Sequence, residues 1–393
     1  MKQLLYLAFH DRLNSLYGVQ AKIESQCRAF GAYGYRVDLL ERRGEETVLL
    51  SGGAVPEPVA RHPHRLRSRA IRSVLDKQAQ IRDIKRWLHG RHYDACYIRY
   101  DFSDPGFLSL LQTCRRVCHT IVLELPTFPY DEENKSGILS RAKLLLDQCC
   151  RTRLHRYVDW IVTFYGGHQK IFGIPVLVIP NGFDFSSMQP VTQALPADAI
   201  HIIAVSSMRE WHGYERFLEG MRDYYHPGAG DRRNLVLHLV GNGREYGKYQ
   251  ALVEAYGLRD HVVMEGAMHG PALDALYERC ALGIDSLARH RSGISVLSSL
   301  KSREYGSKGL PMINSCQIDI LDGDFPYLLQ VPADESPIEM QAVVDFYDRC
   351  FSTGKSRTEV AREIRSYVEA RTGMKQTLAD VVRVLEAPRG ARV

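Results

Sequence analysis

No apolar run in the 393 residues approaches the roughly 20 needed to cross a bilayer as a helix. The opening stretch, MKQLLYLAFHDR, is apolar for only a few positions before His10 and Asp11. No small-residue cleavage site follows, so it reads as a first buried strand and not as a leader. Paired cysteine spacing is also missing. The nine cysteines are scattered, and Cys114 and Cys118, one helical turn apart with His119 behind, find no second ligand pair. The expectation is reduced thiols in a cytoplasmic protein, with no disulfide framework and no metal site. Aromatic residues do not interleave with the basic ones, which argues against a nucleic-acid partner.

The composition is that of a folded soluble protein, 45% hydrophobic and 25% charged, and the length suits two domains. The net charge of +5 is uneven. Residues 61–92 hold ten Lys/Arg against two Asp, so the remainder of the chain is slightly acidic. Such a segment is a local positive face: either the solvent side of an amphipathic helix, or a docking surface for an anionic bilayer.

Apolar periodicity alternates between short strands and helices. KQLLYLAFH, a loop ending at Gly18, a helix carrying Val19, Ile23, Cys27 and Phe30, and the strand YRVDLL form a strand–loop–helix–strand unit. Residues 44–62 read as loop and a marginal strand. A helix follows at 66–92, with Ile71, Val74, Leu75, Ile81, Ile84 and Leu88 on its apolar side. YDACYIRYD, HTIVLELP, IVTFYG and VLVIPNG are further strands. After a break near 181–193 the pattern restarts with AIHIIAVSSM and repeats strand and helix to the end. The expected fold is α/β, with two Rossmann-like doubly wound domains facing each other across a cleft, where ligands sit beyond the carboxyl ends of the strands. The boundaries expected are 1–183 for the N-terminal domain and 184–368 for the second. Residues 369–393 form a C-terminal helix that crosses back.

The candidate site residues lie where strands end or helices begin. Gly241 and Gly243 in VGNG, and Gly266 in VMEGAM, let backbone turn tightly beside a ligand. In SLKSREYGSKGLP a helix starts near Ser298 or Ser299, and its free amides suit a phosphate. Lys301 adds a charge. Glu304, one turn on, suits a diol such as ribose, whose two hydroxyls can donate to its two oxygens. A surface Lys–Glu pair is the competing account of the same spacing.

The order of these segments resembles the retaining glycosyltransferases of family 4, which have the GT-B fold. The similar stretches are VIPNGFD, VSSMREWHGYERFLEGM, LHLVGNGREYGKYQALVEAYGLRDHVVMEGAM, ALYERCALGIDSL and LKSREYGSKGLPMINS, with LYGVQAKIESQCRAFGAYGYRVDLL in the first half. The resemblance implies a hexosyltransferase-type enzyme that takes a nucleotide-diphosphate sugar, UDP ahead of GDP. It implies no cofactor and no metal, and a glycan or lipid-linked acceptor in bacterial polysaccharide assembly. It implies that Glu304 holds the donor ribose with Lys301 before it, that Gly266 meets the base, and that Gly18 lies near the diphosphate. The remaining donor-site candidates are Arg209, His212, Gly241 and Gly243, with a protonated His212 as one source of positive charge. Arg99, Asp101 and Glu124 are the catalytic and acceptor-side candidates. Where the family carries a second acid this chain has Val296, and where it carries Arg and Lys this chain has Ser206 and His212. Two rivals therefore stay open: a sugar-nucleotide epimerase, and an inactive nucleotide-sugar-binding or scaffold subunit. The place expected is the cytoplasm, with peripheral contact at the inner face of the plasma membrane through segment 61–92.

Overall fold

The computed structural model describes residues 1–12, 17–52, 55–63, 69–131, 138–164, 166–226, 232–351 and 354–387. The chain divides into two α/β units: Met1–Gly182 with Met374–Val393, and Phe183–Gly373.

The first unit is built from β1 (Lys2–Asp11), α1 (Tyr17–Ala32), β2 (Tyr35–Arg43), β3 (Glu46–Ser51), β4 (Glu57–Arg61), α2 (Arg69–Trp87), β5 (Tyr93–Arg99), α3 (Pro105–Val117), β6 (Cys118–Leu125), α4 (Ile138–Arg151), β7 (Trp160–Thr163), β8 (Lys170–Ile171) and β9 (Ile174–Val178). Its sheet runs β4-β3-β2-β1-β5-β6-β7-β9-β8. The six strands β2, β1, β5, β6, β7 and β9 are parallel. Leu4 to Phe9 are all buried because helices cover both faces of such a sheet. Helix α3 starts where its sequence dictates: Asp104 accepts the Phe107 N–H at 2.9 Å and Pro105 takes the first helical position.

Two expectations change here. Residues 44–62 are not mainly loop. Gly44, at φ +61°, turns the chain so that β3 and β4 pair antiparallel and extend the sheet past β2. On α2, Val74 and Leu75 are exposed, while Asp76, Lys77 and Asp83 are buried. Charge pairing decides this: Arg42 binds Asp76, and Lys77 lies 3.1 Å from Asp104. The positions that periodicity assigned to the core thus yield to a buried ionic face.

The second unit contains β10 (Ile200–Ser206), α5 (Tyr214–Tyr224), β11 (Leu235–Gly241), α6 (Tyr246–Ala255), β12 (Val262–Gly266), α7 (Pro271–Arg279), β13 (Leu282–Ile284), β14 (Val296–Leu297), α8 (Leu300–Lys308), β15 (Met312–Asn314), β16 (Gln317–Ile318), β17 (Leu328–Gln330), α9 (Met340–Phe351) and α10 (Arg357–Thr372). The main sheet is wholly parallel, in the order β12-β11-β10-β13-β15-β17, and β14 and β16 form a separate pair. The order reverses between β10 and β13. Ligands of open α/β sheets collect beyond the carboxyl ends at such a point. Helix α11 (Met374–Glu386) belongs to the first unit and packs on α1.

Candidate functional site

β10 and β13 pair only through Ile202–Leu282 and Ile203–Gly283 and then part. Tyr305 of α8 fills the fork. Its hydroxyl accepts the Val205 N–H at 3.0 Å and donates to the Ile284 carbonyl at 3.0 Å. This one side chain fixes α8 against the switch point of the sheet and so decides where its neighbours fall.

Ser299 caps α8, accepting the Ser302 N–H at 3.0 Å and donating to buried Asp285. Lys301, in the first turn, puts Nζ 3.2 Å from Asp285 Oδ1 and 3.5 Å from Ser286 Oγ. Burial pulls the Lys301 ammonium below its usual range, and the Asp285 charge opposes that. Glu304 lies one turn further, and its Oε1 accepts the Tyr277 hydroxyl at 2.8 Å. Burial holds its carboxyl above the ordinary carboxylate range, against the Tyr277 bond and the charges of Lys308 and Lys301. The other cations of the motif turn elsewhere. Arg303 is wholly buried on Asp319 at 2.6 Å, and Lys308 binds Asp274 at 2.6 Å. The segment therefore splits by role: Arg303, Tyr305 and Lys308 hold the helix, while Lys301 and Glu304 stand at the sheet's carboxyl end.

The loop after β10 supplies the facing wall. His212 is 3% exposed, stacks on Tyr214, and accepts the Arg209 N–H at its Nδ1 at 2.8 Å. Burial, then the charges of Lys301 and Arg289, lower its pKa to about 2. His212 is thus neutral and is not the source of positive charge that its position suggested. Arg209 is partly exposed. Arg289, after β13, is partly buried over the Trp211 ring at 5.5 Å, and its Nε is buried without a hydrogen-bond partner. Sequence reasoning missed Arg289. In ARHRSGIS it is one of three basic residues in a row, and nothing in the pattern separates it from Arg291, which pairs with Glu215 at 2.7 Å. Asp285 and Tyr277, which tie down Lys301 and Glu304, also escaped notice because their neighbours are distant in sequence.

Gly241 and Gly243 sit where the turn after β11 meets the loop after β10. A Cβ at Gly241 would stand 1.8 Å from the Ser206 oxygen, and one at Gly243 1.9 Å from the Ser207 oxygen. Their absent side chains let two backbones touch. Gly266, at φ +69°, ends β12 and has open space where a Cβ would be. Gly18 falls in the first turn of α1, directly after 13–16; its surroundings lie outside the described residues.

In the first unit, Arg99 and Glu124 end up enclosed, at 6% and 0% exposure. Arg99 donates to Glu124 Oε1, while Tyr97 (2.6 Å) and Gln26 (2.5 Å) donate to Oε2. Lys22, Arg99 and these donors hold the Glu124 carboxyl below its usual range despite burial. Asp101 is more open and lies 3.4 Å from Lys143 and 3.7 Å from Lys77. The sequence carries one Asp-x-Asp stretch, Asp322-Gly323-Asp324. Its Asp322 accepts the Tyr367 hydroxyl at 2.5 Å and lies 3.4 Å from Arg371. Among the described residues no group of three or more His, Cys, Asp or Glu side chains could hold a metal ion.

No protein-family model matches the chain, and no curated protein matches it. Solved structures do. Sucrose-phosphate synthase from Thermosynechococcus elongatus superposes with a TM-score of 0.66 at 15% identity, over 98% of this chain and 99% of that one. A glycosyltransferase from Rickettsia africae gives 0.60 at 11% identity, over 98% of each chain. Anabaena HepE in complex with UDP gives 0.59 at 13% identity, over 98% and 99%. The fold is that of the GT-B glycosyltransferases.

Proposed function

We propose that the chain is a retaining glycosyltransferase of the family 4 type, which moves a sugar from a nucleotide-diphosphate donor to a hydroxyl acceptor. The observation that carries this is the pairing of Glu304 with a cation cluster at the switch point of the second unit. Glu304 has Oε1 oriented by Tyr277, and its carboxylate suits the two hydroxyls of a ribose. The first turn of α8, Lys301 and the guanidinium of Arg209 suit a diphosphate. Gly266, open at the end of β12, suits a base that pairs with backbone. HepE, a neighbour in fold, is described in complex with UDP and with UDP-glucose, which supports a uridine nucleotide as donor.

In the reaction the bond from the sugar's anomeric carbon to the diphosphate oxygen breaks, and its electron pair leaves with the diphosphate. The acceptor oxygen bonds to the same carbon on the face the diphosphate leaves, and its proton passes to the departing phosphate. Cations and helix amides aimed at the leaving group lower the barrier by meeting the charge that develops there. Asp101 is the acceptor-side candidate with room to act. Glu124 and Arg99, enclosed and paired with each other, act as positioning groups for the ends of β5 and β6. Exposed Val74 and Leu75 beside the basic residues of α2 support contact with an anionic bilayer that presents a lipid-linked acceptor. Flotation with and without anionic lipid tests that contact.

The deciding experiment is Glu304→Ala assayed for turnover of nucleotide sugars. Activity should fall at least a hundredfold with the unfolding midpoint retained; unchanged turnover removes the assignment. Incubation with donor alone separates the rivals, since an epimerase converts it without acceptor. A scaffold shows neither turnover nor stabilisation by nucleotide.

A further inference from the structure

Several cations of the second unit are held by partners of its own. Arg291 binds Glu215 and Glu335, and Arg303 binds Asp319. Buried Arg216 binds Asp334 and three carbonyls, and Arg357 binds four carbonyls. Lys301, the lysine that the motif offers for a phosphate, already has Asp285 at 3.2 Å. Arg289 differs from all of these. Among the described residues it has neither a carboxylate at ion-pair distance nor a hydrogen-bond acceptor for its side chain. Its Nε is buried unpaired like that of Arg357, but the other nitrogens of Arg357 reach four carbonyls. A guanidinium none of whose nitrogens has an acceptor within the protein is available to an anion.

The backbone around Arg289 is held firmly. Leu287 N–H donates to the His212 carbonyl at 2.8 Å, and Ala288 N–H to the Trp211 carbonyl at 3.3 Å. The two loops can come this close only because residue 213 is glycine. A Cβ there would lie 2.5 Å from the Ala288 Cβ, and its φ is +61°. Arg289 therefore stands over Trp211 and near His212, whose basicity is depressed first by burial and then by the charges of Lys301, Arg289 and Arg209. Arg209, Arg289 and Lys301 outnumber the carboxylates of Asp285 and Glu304, so with His212 neutral the cluster keeps a net positive charge, as an anionic diphosphate requires.

We propose that Arg289 grips the diphosphate of the donor together with Arg209 and the first turn of α8, and supplies the charge that Asp285 offsets on Lys301. This rests on the nucleotide-sugar reading and extends it to a residue outside the sequence motif. A planar fork of donors on a fixed loop suits adjacent phosphate oxygens better than a flexible ammonium does.

The test is calorimetric titration of the full chain and of Arg289→Gln, Arg289→Lys and Glu304→Ala. The probes are UDP, GDP and ADP, their parent nucleosides, and inorganic pyrophosphate. For whichever nucleoside diphosphate the wild type binds best, Arg289→Gln should weaken binding at least tenfold and flatten its salt dependence. Nucleoside affinity should stay unchanged, and Arg289→Lys should recover part of the loss. Glu304→Ala should instead weaken nucleoside and nucleotide alike. If both Arg289 variants bind like the wild type while Glu304→Ala does not, the Arg289 assignment is wrong and the donor site stands. If the wild type binds none of the probes, both fall. If Arg289→Gln unfolds, Arg289→Lys decides alone: it keeps the charge, and a wild-type affinity for pyrophosphate and nucleotide would overturn the role of the planar fork.

Discussion

At the scale of single residues, the donor site depends on which groups are charged. His212 makes this concrete. Its Nδ1 accepts a backbone N–H, so its work needs an acceptor and no charge. His212→Asn, which can offer an oxygen to the Arg209 N–H, should keep nucleotide binding within a few-fold. His212→Ala strands that N–H and should cost about 1–3 kcal/mol of stability in urea titrations. The pH dependence has a definite sign. Burial first, and then neighbouring cations, hold His212 near 2, and burial and the Arg99 charge hold His10 near 4. Both are neutral when folded and take up a proton when unfolded below about pH 6.5. Their contribution is therefore complete above that pH, declines as the pH falls beneath it, and stops declining near 4 for His10 and near 2 for His212. Urea midpoints should drop between pH 7 and pH 5, and the drop should shrink in His10→Gln. An equal drop in that variant would assign the effect elsewhere. None of this is visible in a sequence, where a histidine beside an arginine reads as one more positive group.

At the scale of elements, α8 acts as a bracket, and its sequence was legible only in part. The spacing of Lys301 and Glu304 and the helix start near Ser299 follow from local pattern, because capping and one-turn spacing are local physics. The roles of Arg303, Tyr305 and Lys308 depend on Asp319, the fork between β10 and β13, and Asp274. Those partners come from other elements, so no window of sequence contains them. The buried carboxylate of Asp285, which changes what Lys301 can do, is hidden for the same reason. Tyr305 gives the sharpest test of the bracket. Tyr305→Phe removes one hydroxyl and leaves both the Val205 N–H and the Ile284 carbonyl without it. The expected loss is about 1–3 kcal/mol in stability. Nucleotide affinity should fall with it, although the phenol touches no ligand. A variant that loses stability but binds nucleotide normally would show that the helix is positioned by its other contacts.

At the scale of the whole molecule, alternating strands and helices gave away two α/β units, since a parallel sheet needs crossover helices and leaves long apolar strands behind. Assignment of the C-terminal helices to units is a matter of tertiary packing, and two neighbouring helices illustrate it. Val368 of α10 packs against the position of Gly306 in α8, where a Cβ would meet its methyls at 2.7 Å. Leu378 of α11, ten residues later in the chain, is buried with Leu4, Tyr6 and Phe30 in the core of the first unit. The two side chains are equally hidden, at 0% exposure. Truncating either to alanine should cost about 2–5 kcal/mol for the leucine and somewhat less for the valine. The consequences should separate by unit. Val368→Ala loosens the seat of α8, so amide exchange should rise in 300–308 and nucleotide affinity should fall. Leu378→Ala should raise exchange in β1 and α1 and leave nucleotide affinity at the wild-type value. If Leu378→Ala weakened nucleotide binding as much as Val368→Ala does, the donor site would not be a property of the second unit, and its construction from α8 and the loops after β10 and β13 would have to be abandoned.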